Sequence, residues 1–162
     1  MRTDNLFKQA VLDAPFSFTA RPEPVPGDLR MSWGIGILLL ALFYSHGKKA
    51  SFQKLQFLAH AVRIREGRED VMALLRGELH SSDLSVRVEP WLNRAVAFAH
   101  GLGLLGVAKG KSVSLTDKGR ETAAAINANN EVFIAERAFL AEAARRLTEA
   151  QLDKIWRMED PS

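Results

Sequence analysis

Hydrophobic positions along the chain form a succession of helical stripes, interrupted once by a short alternating pair. Residues 33–46 begin WGIGILLLALFY and are apolar nearly all round. That is the pattern of a central helix covered on several sides, with Ser32 as its N-cap and Gly47 as its stop. Phe52, Leu55, Ala59 and Val62 recur at helical spacing and predict a second helix over 51–64, capped by Ser51. The run REGRED reads as a charged turn leading to a short helix near 69–76 that ends by Gly77. Glu89-Pro90 opens the next helix, with proline in its first turn. It runs to about Leu102, and Leu92, Ala95, Val96, Ala99 and Leu102 form its inward face. Leu104 to Ala108 and Val113 to Leu115 read as strands around the turn KGKS. Thr116 caps a helix through DKGRETAAAINA. Two more helices follow, near 131–147 and 149–157, parted by the T-x-x-Q capping box of Thr148 and Gln151.

Gly101, Gly103 and Gly106 match the G-x-G-x-x-G spacing of a dinucleotide loop. Such a loop must follow a strand and open a helix, whose N-terminus holds the pyrophosphate. Here the glycines follow a helix and open a strand, so they read as a helix stop and a turn into a hairpin.

The first thirty residues differ from the rest. Pro15, Pro22, Pro24 and Pro26 predict an extended arm. A strap across the chain's own body and an arm that docks on a partner both fit this pattern.

At 162 residues the chain suits one domain with appendages, and its 47% apolar and 25% charged residues are those of an ordinary globular protein. With no cysteine, disulfides, thiolate metal sites and cysteine nucleophiles are excluded. The twelve-residue apolar run is too short to span a bilayer, and the N-terminus lacks the layout of a secretory signal. The expectation is a cytoplasmic protein without membrane contact. The formal net charge is +3, with the basic excess between Ser45 and Arg120.

Little in the chain points to catalysis. His46, His60, His80 and His100 stand in no compact ligand spacing. The carboxylates are scattered beside Lys and Arg, and there is no P-loop. No enzymatic role, cofactor or metal is expected.

Helix, helix, helix, hairpin, helix is the order of a winged-helix domain. GKKASFQKLQFLAHAV, EPWLNRAVAFAHGLGLLGVAKGKSVSLT and LTDKGRETAAAI each resemble segments of that family. The resemblance implies a mainly α fold with a small β-hairpin, a winged helix-turn-helix. Residues 1–31 would form the arm, 32–129 the winged-helix domain with an inserted short helix near 69–76, and 130–162 a C-terminal helical extension. About twenty-five residues separate the second and third helices, a departure from the short turn of compact DNA-binding members. More narrowly, the layout is similar to the middle component of bacterial three-component ABC-ATPase systems. This similarity implies a non-enzymatic adaptor that bridges an SMC-like ATPase subunit and an effector subunit in antiphage defence. The alternative is a dimeric winged-helix transcriptional regulator.

On a reading helix with Leu92, Val96 and Ala99 inward, the outward residues are Asn93, Arg94, Ala97 and Gly101, with Trp91 and His100 at the flanks. Asn93 and Arg94 are the candidates for base contact. Lys48, Lys49, Lys109 and Lys111 would form a ridge on phosphates without sequence preference. Ala97 and Gly101 suit close approach by another protein. Phe16, Phe18, Trp91, Phe133, Leu140 and Trp156 complete the set of partner-interface candidates. Phe133, Leu140 and Leu147 are seven apart, a face that packs on its own domain or on a second copy in a homodimer.

Overall fold

A computed structural model describes residues 27–109 and 111–159. Seven α-helices and a three-stranded sheet appear among them. Helix α1 (Gly27–Tyr44) is the hub. Ile37, Leu38, Leu39, Leu40 and Leu42 are each at most 1% exposed, so every side of its second half is covered. Three later helices do the covering: α4 (Pro90–Gly101), α5 (Asp117–Ala128) and α6 (Ile134–Arg146). The helix begins earlier than a cap at Ser32 predicts. Met31 and Trp33 pack against the core, and this tertiary contact holds turns that local propensity leaves undecided.

After α1 the chain turns through Gly47 and Lys48, both at positive φ, into β1 (Lys49–Ser51). Helix α2 (Phe52–Val62) follows, and the Ser51 hydroxyl accepts from the Lys54 amide as its N-cap. Helix α3 spans Arg65–Leu75, so the charged run is its first half rather than a turn leading to it. Gly67 allows this. A Cβ there would lie 2.7 Å from the Ala61 carbonyl oxygen, so the first turn of α3 lies directly on the end of α2. Arg68 also donates to the Val62 carbonyl at 2.7 Å, and Arg65 pairs with Glu69 one turn along. Gly77, at φ +75, closes α3 with bonds from Gly77 to Leu74 and from Glu78 to Ala73, a Schellman stop.

Strands β2 (Leu105–Ala108) and β3 (Ser112–Leu115) form the hairpin, and β1 pairs antiparallel with β3 to give the order β1-β3-β2. Helix α5 is capped by Thr116, and α7 (Glu149–Glu159) by the reciprocal Thr148–Gln151 pair. The last two helices pack into the same core. Leu140, Ala143, Ala144 and Leu152 are fully buried. Lys54, itself buried, donates to the Ala144 and Leu147 carbonyls at the end of α6, at 2.6 and 3.1 Å. Among the described residues no helix is long and apolar enough to cross a membrane.

Candidate functional site

Helix α4 exposes Phe98 on its outer side and Leu102 at its C-cap, and its placement is tightly specified. Its N-cap, Glu89, is 4% exposed, yet its carboxylate is fully partnered. His60 Nδ1 lies 3.0 Å from Oε1, and Arg63 reaches the two oxygens at 3.2 and 3.0 Å. The Glu89 amide donates to Gln56 Oε1 at 2.8 Å. Gln56, His60 and Arg63 stand four and three residues apart on one side of α2. A buried carboxylate is tolerated when paired in this way. The cluster ties α4 to α2 across the whole of residues 63–89.

The other end of α4 is equally determined. Gly103, at φ +74, donates to His100, and Leu104 to Ala99, which is again a Schellman stop. The expected helix stop is thus confirmed, and Gly106 lies within β2. The start of α5 closes over this turn. Thr116 Oγ1 donates to the Gly103 carbonyl at 2.6 Å, and Lys118 Nζ to the Leu102 carbonyl at 2.9 Å. A Cβ on Gly119 would lie 2.0 Å from the Leu104 carbonyl oxygen, so the LTDKG glycine is required by a backbone contact.

Between these ends Leu92, Ala95, Val96 and Ala99 face inward, as the spacing predicts. Leu102 does not. It is 52% exposed at the C-cap, where it still bonds the Phe98 carbonyl as a helical residue but lies at the edge of the inward stripe. Phe98, which the inward stripe leaves unassigned, is 59% exposed. The outer face therefore carries apolar side chains, with Phe98 and Leu102 one turn apart on it. Ala97 and Gly101 lie beside them, both exposed, and a Cβ on Gly101 would meet nothing within 4 Å. Arg94, one turn before Phe98, is the only permanently charged residue of α4. Trp91 continues the same flank, half-buried against Trp33 with ring centroids 5.3 Å apart.

The nucleic-acid candidates divide between sites. Asn93 and Arg94 are both exposed, but successive helical positions diverge by about 100°. Asn93 shares a flank with His100, whose Nδ1 lies 3.0 Å from the Leu105 carbonyl oxygen and so borders the hairpin. Arg94 belongs to the Phe98 flank. Lys109 and Lys111 are exposed at the hairpin turn. The Phe52 amide bonds the Lys111 carbonyl, whereas Lys49 pairs with Ser114, so exposed Lys49 lies at the end of β1 away from the turn. Lys48 leaves the expected ridge. Its ammonium bonds the Phe43 carbonyl and lies 4.1 Å from the Phe43 ring centroid. It caps α1, where a cation complements the helix dipole.

The partner-interface candidates divide as well. Leu140 is 0% exposed in the chain's own core and is withdrawn from any partner surface. Phe133 packs on Gly36 of α1, where a Cβ would meet its ring at 2.5 Å. Trp156 also packs against the core. Phe16 and Phe18 lie outside the described residues. Besides Phe98 and Leu102, sequence reasoning missed exposed Ile64, Val88 and Ile134.

Surface clefts of about 270, 380 and 440 Å³ are lined mainly by charged or hydroxyl side chains. No group of three or more His, Asp or Glu residues suited to a metal occurs among the described residues. The buried Lys54 ammonium is pushed below its ordinary pKa by desolvation, an effect partly opposed by the Glu149 carboxylate. Its hydrogen bonds run to helix-end carbonyls rather than into a cavity. Comparisons with protein families, with curated proteins and with solved structures found no match.

Proposed function

We propose that this chain is a non-enzymatic adaptor of winged-helix type, whose α4 face engages another protein. The observation that carries the reading is the exposure of Phe98 and Leu102 on the helix that would enter a DNA groove in this fold. A base-reading surface needs hydrogen-bonding side chains along its length. This one offers them at Asn93 and Arg94 in its first turns and at His100 on the hairpin flank, whereas Ala97, Phe98, Gly101 and Leu102 offer none. Exposed aromatic and aliphatic side chains beside small residues are instead the makings of a protein contact. The helix order, the three-stranded sheet and the hairpin beyond α4 support the winged-helix assignment. The layout shared with three-component systems makes an SMC-like ATPase and its effector the partners to test, in antiphage defence.

The experiment is co-expression with neighbouring genes encoding such an ATPase and effector, followed by capture of wild type and Phe98→Ser. Wild type is expected to retain the ATPase, with capture reduced at least about tenfold by the substitution. Capture indifferent to Phe98→Ser rejects the α4 face. The exposure of Asn93, Arg94, Lys109 and Lys111 favours a second reading, the dimeric DNA-binding regulator. Operator-specific duplex binding by the protein alone at physiological salt would establish it in place of the adaptor.

A further inference from the structure

We propose that the α4 surface receives a single amphipathic helix of the partner, one that carries acidic residues beside its apolar face. The inference rests on the adaptor reading and names the chemistry of its partner. Trp91, Arg94, Phe98 and Leu102 succeed one another at intervals of three, four and four residues, a stripe along one flank of a straight helix. It is about 16 Å long, the length of three turns of a second helix. Ala97 and Gly101 form a parallel row of small side chains, with open space above Gly101, so a facing helix can approach closely. Recognition of this kind places one helix's apolar anchors against another's groove.

Charge selects among helices. Arg94 lies on the stripe and Lys118 reaches over its end to the Leu102 carbonyl. Neither has a carboxylate partner among the described residues. A second copy would bring the same two cations. The chain's own residues 1–26 carry Arg2, Lys8 and Arg21 against Asp4, Asp13 and Glu23, which sum to no net charge. An external segment with Glu or Asp flanking its apolar face answers both cations.

The test uses the full-length, isotope-labelled protein and two synthetic three-turn helices. Both carry leucines at helical spacing; one is flanked by glutamates and its twin by lysines. The glutamate helix is expected to shift backbone amide resonances of residues 91–102 and the start of α5 saturably. The lysine twin should bind at least about tenfold more weakly, and Arg94→Glu should reverse that preference. Phe98→Ser should weaken both peptides at least about tenfold. Equal binding of the two peptides, a preference unmoved by Arg94→Glu, or shifts elsewhere on the surface overturn the assignment. So does a dimer in sedimentation that Phe98→Ser dissolves, which gives the stripe to a second copy. Tighter peptide binding by the Phe16→Ala, Phe18→Ala variant gives it to the chain's own N-terminal residues and overturns the assignment too. If the peptides fail while ATPase capture still depends on Phe98, only the acidic-helix assignment falls. If capture is indifferent to Phe98 as well, the adaptor reading falls with it.

Discussion

Replacing Gly119 by alanine sets two effects of opposite sign against each other. Gly119 lies in the first turn of α5, and in a helix alanine is favoured over glycine by about 1 kcal/mol. Propensity alone predicts a more stable protein. The packing predicts the reverse. The added Cβ would stand 2.0 Å from the Leu104 carbonyl oxygen and 3.3 Å from Leu115 Cδ2. To reach ordinary contact at 3.4 Å, α5 must recede by about 1.4 Å, and the nearest obstacle is backbone rather than the end of a flexible side chain. That movement stretches the bonds that seat α5 on the turn after α4: Thr116 N to Leu104 at 3.1 Å, Thr116 Oγ1 to Gly103 at 2.6 Å and Lys118 Nζ to Leu102 at 2.9 Å. At about 1 kcal/mol net for each bond, with roughly 1 kcal/mol or more of overpacking, the loss is about 4 kcal/mol. After the propensity gain, about 3 kcal/mol of destabilisation remains. For a domain of this size that lowers Tm by roughly 10 °C, readable by far-UV circular dichroism and urea titration. Gly101→Ala is the control. Its Cβ enters open space, and the variant is expected to be unchanged or up to about 1 kcal/mol more stable. If Gly119→Ala proves as stable as Gly101→Ala, the close approach of α5 to Leu104 is not the reason for glycine.

Lys54→Met removes the donor to the Ala144 and Leu147 carbonyls and should lower stability by about 1–3 kcal/mol in urea. Burial holds the Lys54 pKa down, so with rising pH the native state releases this proton before the unfolded chain does. Lys54 therefore adds an upward slope of stability with pH, ending near the ordinary lysine value of about 10.4; urea midpoints across alkaline pH should show that slope in wild type and lose it in Lys54→Met. Lys109→Glu with Lys111→Glu should weaken any duplex association equally across sequences and reduce the salt slope by about 2, measured by titration at two salt concentrations. A change in sequence preference instead would mean that the hairpin reads bases. Phe98→Ser, on an exposed position, should leave stability within about 0.5 kcal/mol of wild type in thermal unfolding; a larger loss would mean that the ring is held by the chain's own core.

The amino-acid order by itself determined the features that a few adjacent residues can build. Ser51, Thr116 and the Thr148–Gln151 pair cap the helices predicted for them, Pro90 opens α4, and Gly77 and Gly103 stop their helices at positive φ. Each depends on hydrogen bonds or dihedral limits spanning no more than about six residues, so nothing distant needs to be known. What only the tertiary structure decided depends on neighbours remote in sequence. Contacts of Met31 and Trp33 with the core, and of Gly67 with Ala61, set where α1 and α3 begin. A carboxylate 26 residues beyond Arg63 and 29 beyond His60 anchors α4. The Phe43 carbonyl and ring take up Lys48. The candidate surface itself was half legible: periodicity identified the open face of α4 but put Leu102 on the wrong side of it and passed over Phe98. A helix rich in apolar residues has more of them than one inward stripe can hold. Which ones stay outside is decided by where the other helices stop covering it, and that is a property of the assembled core.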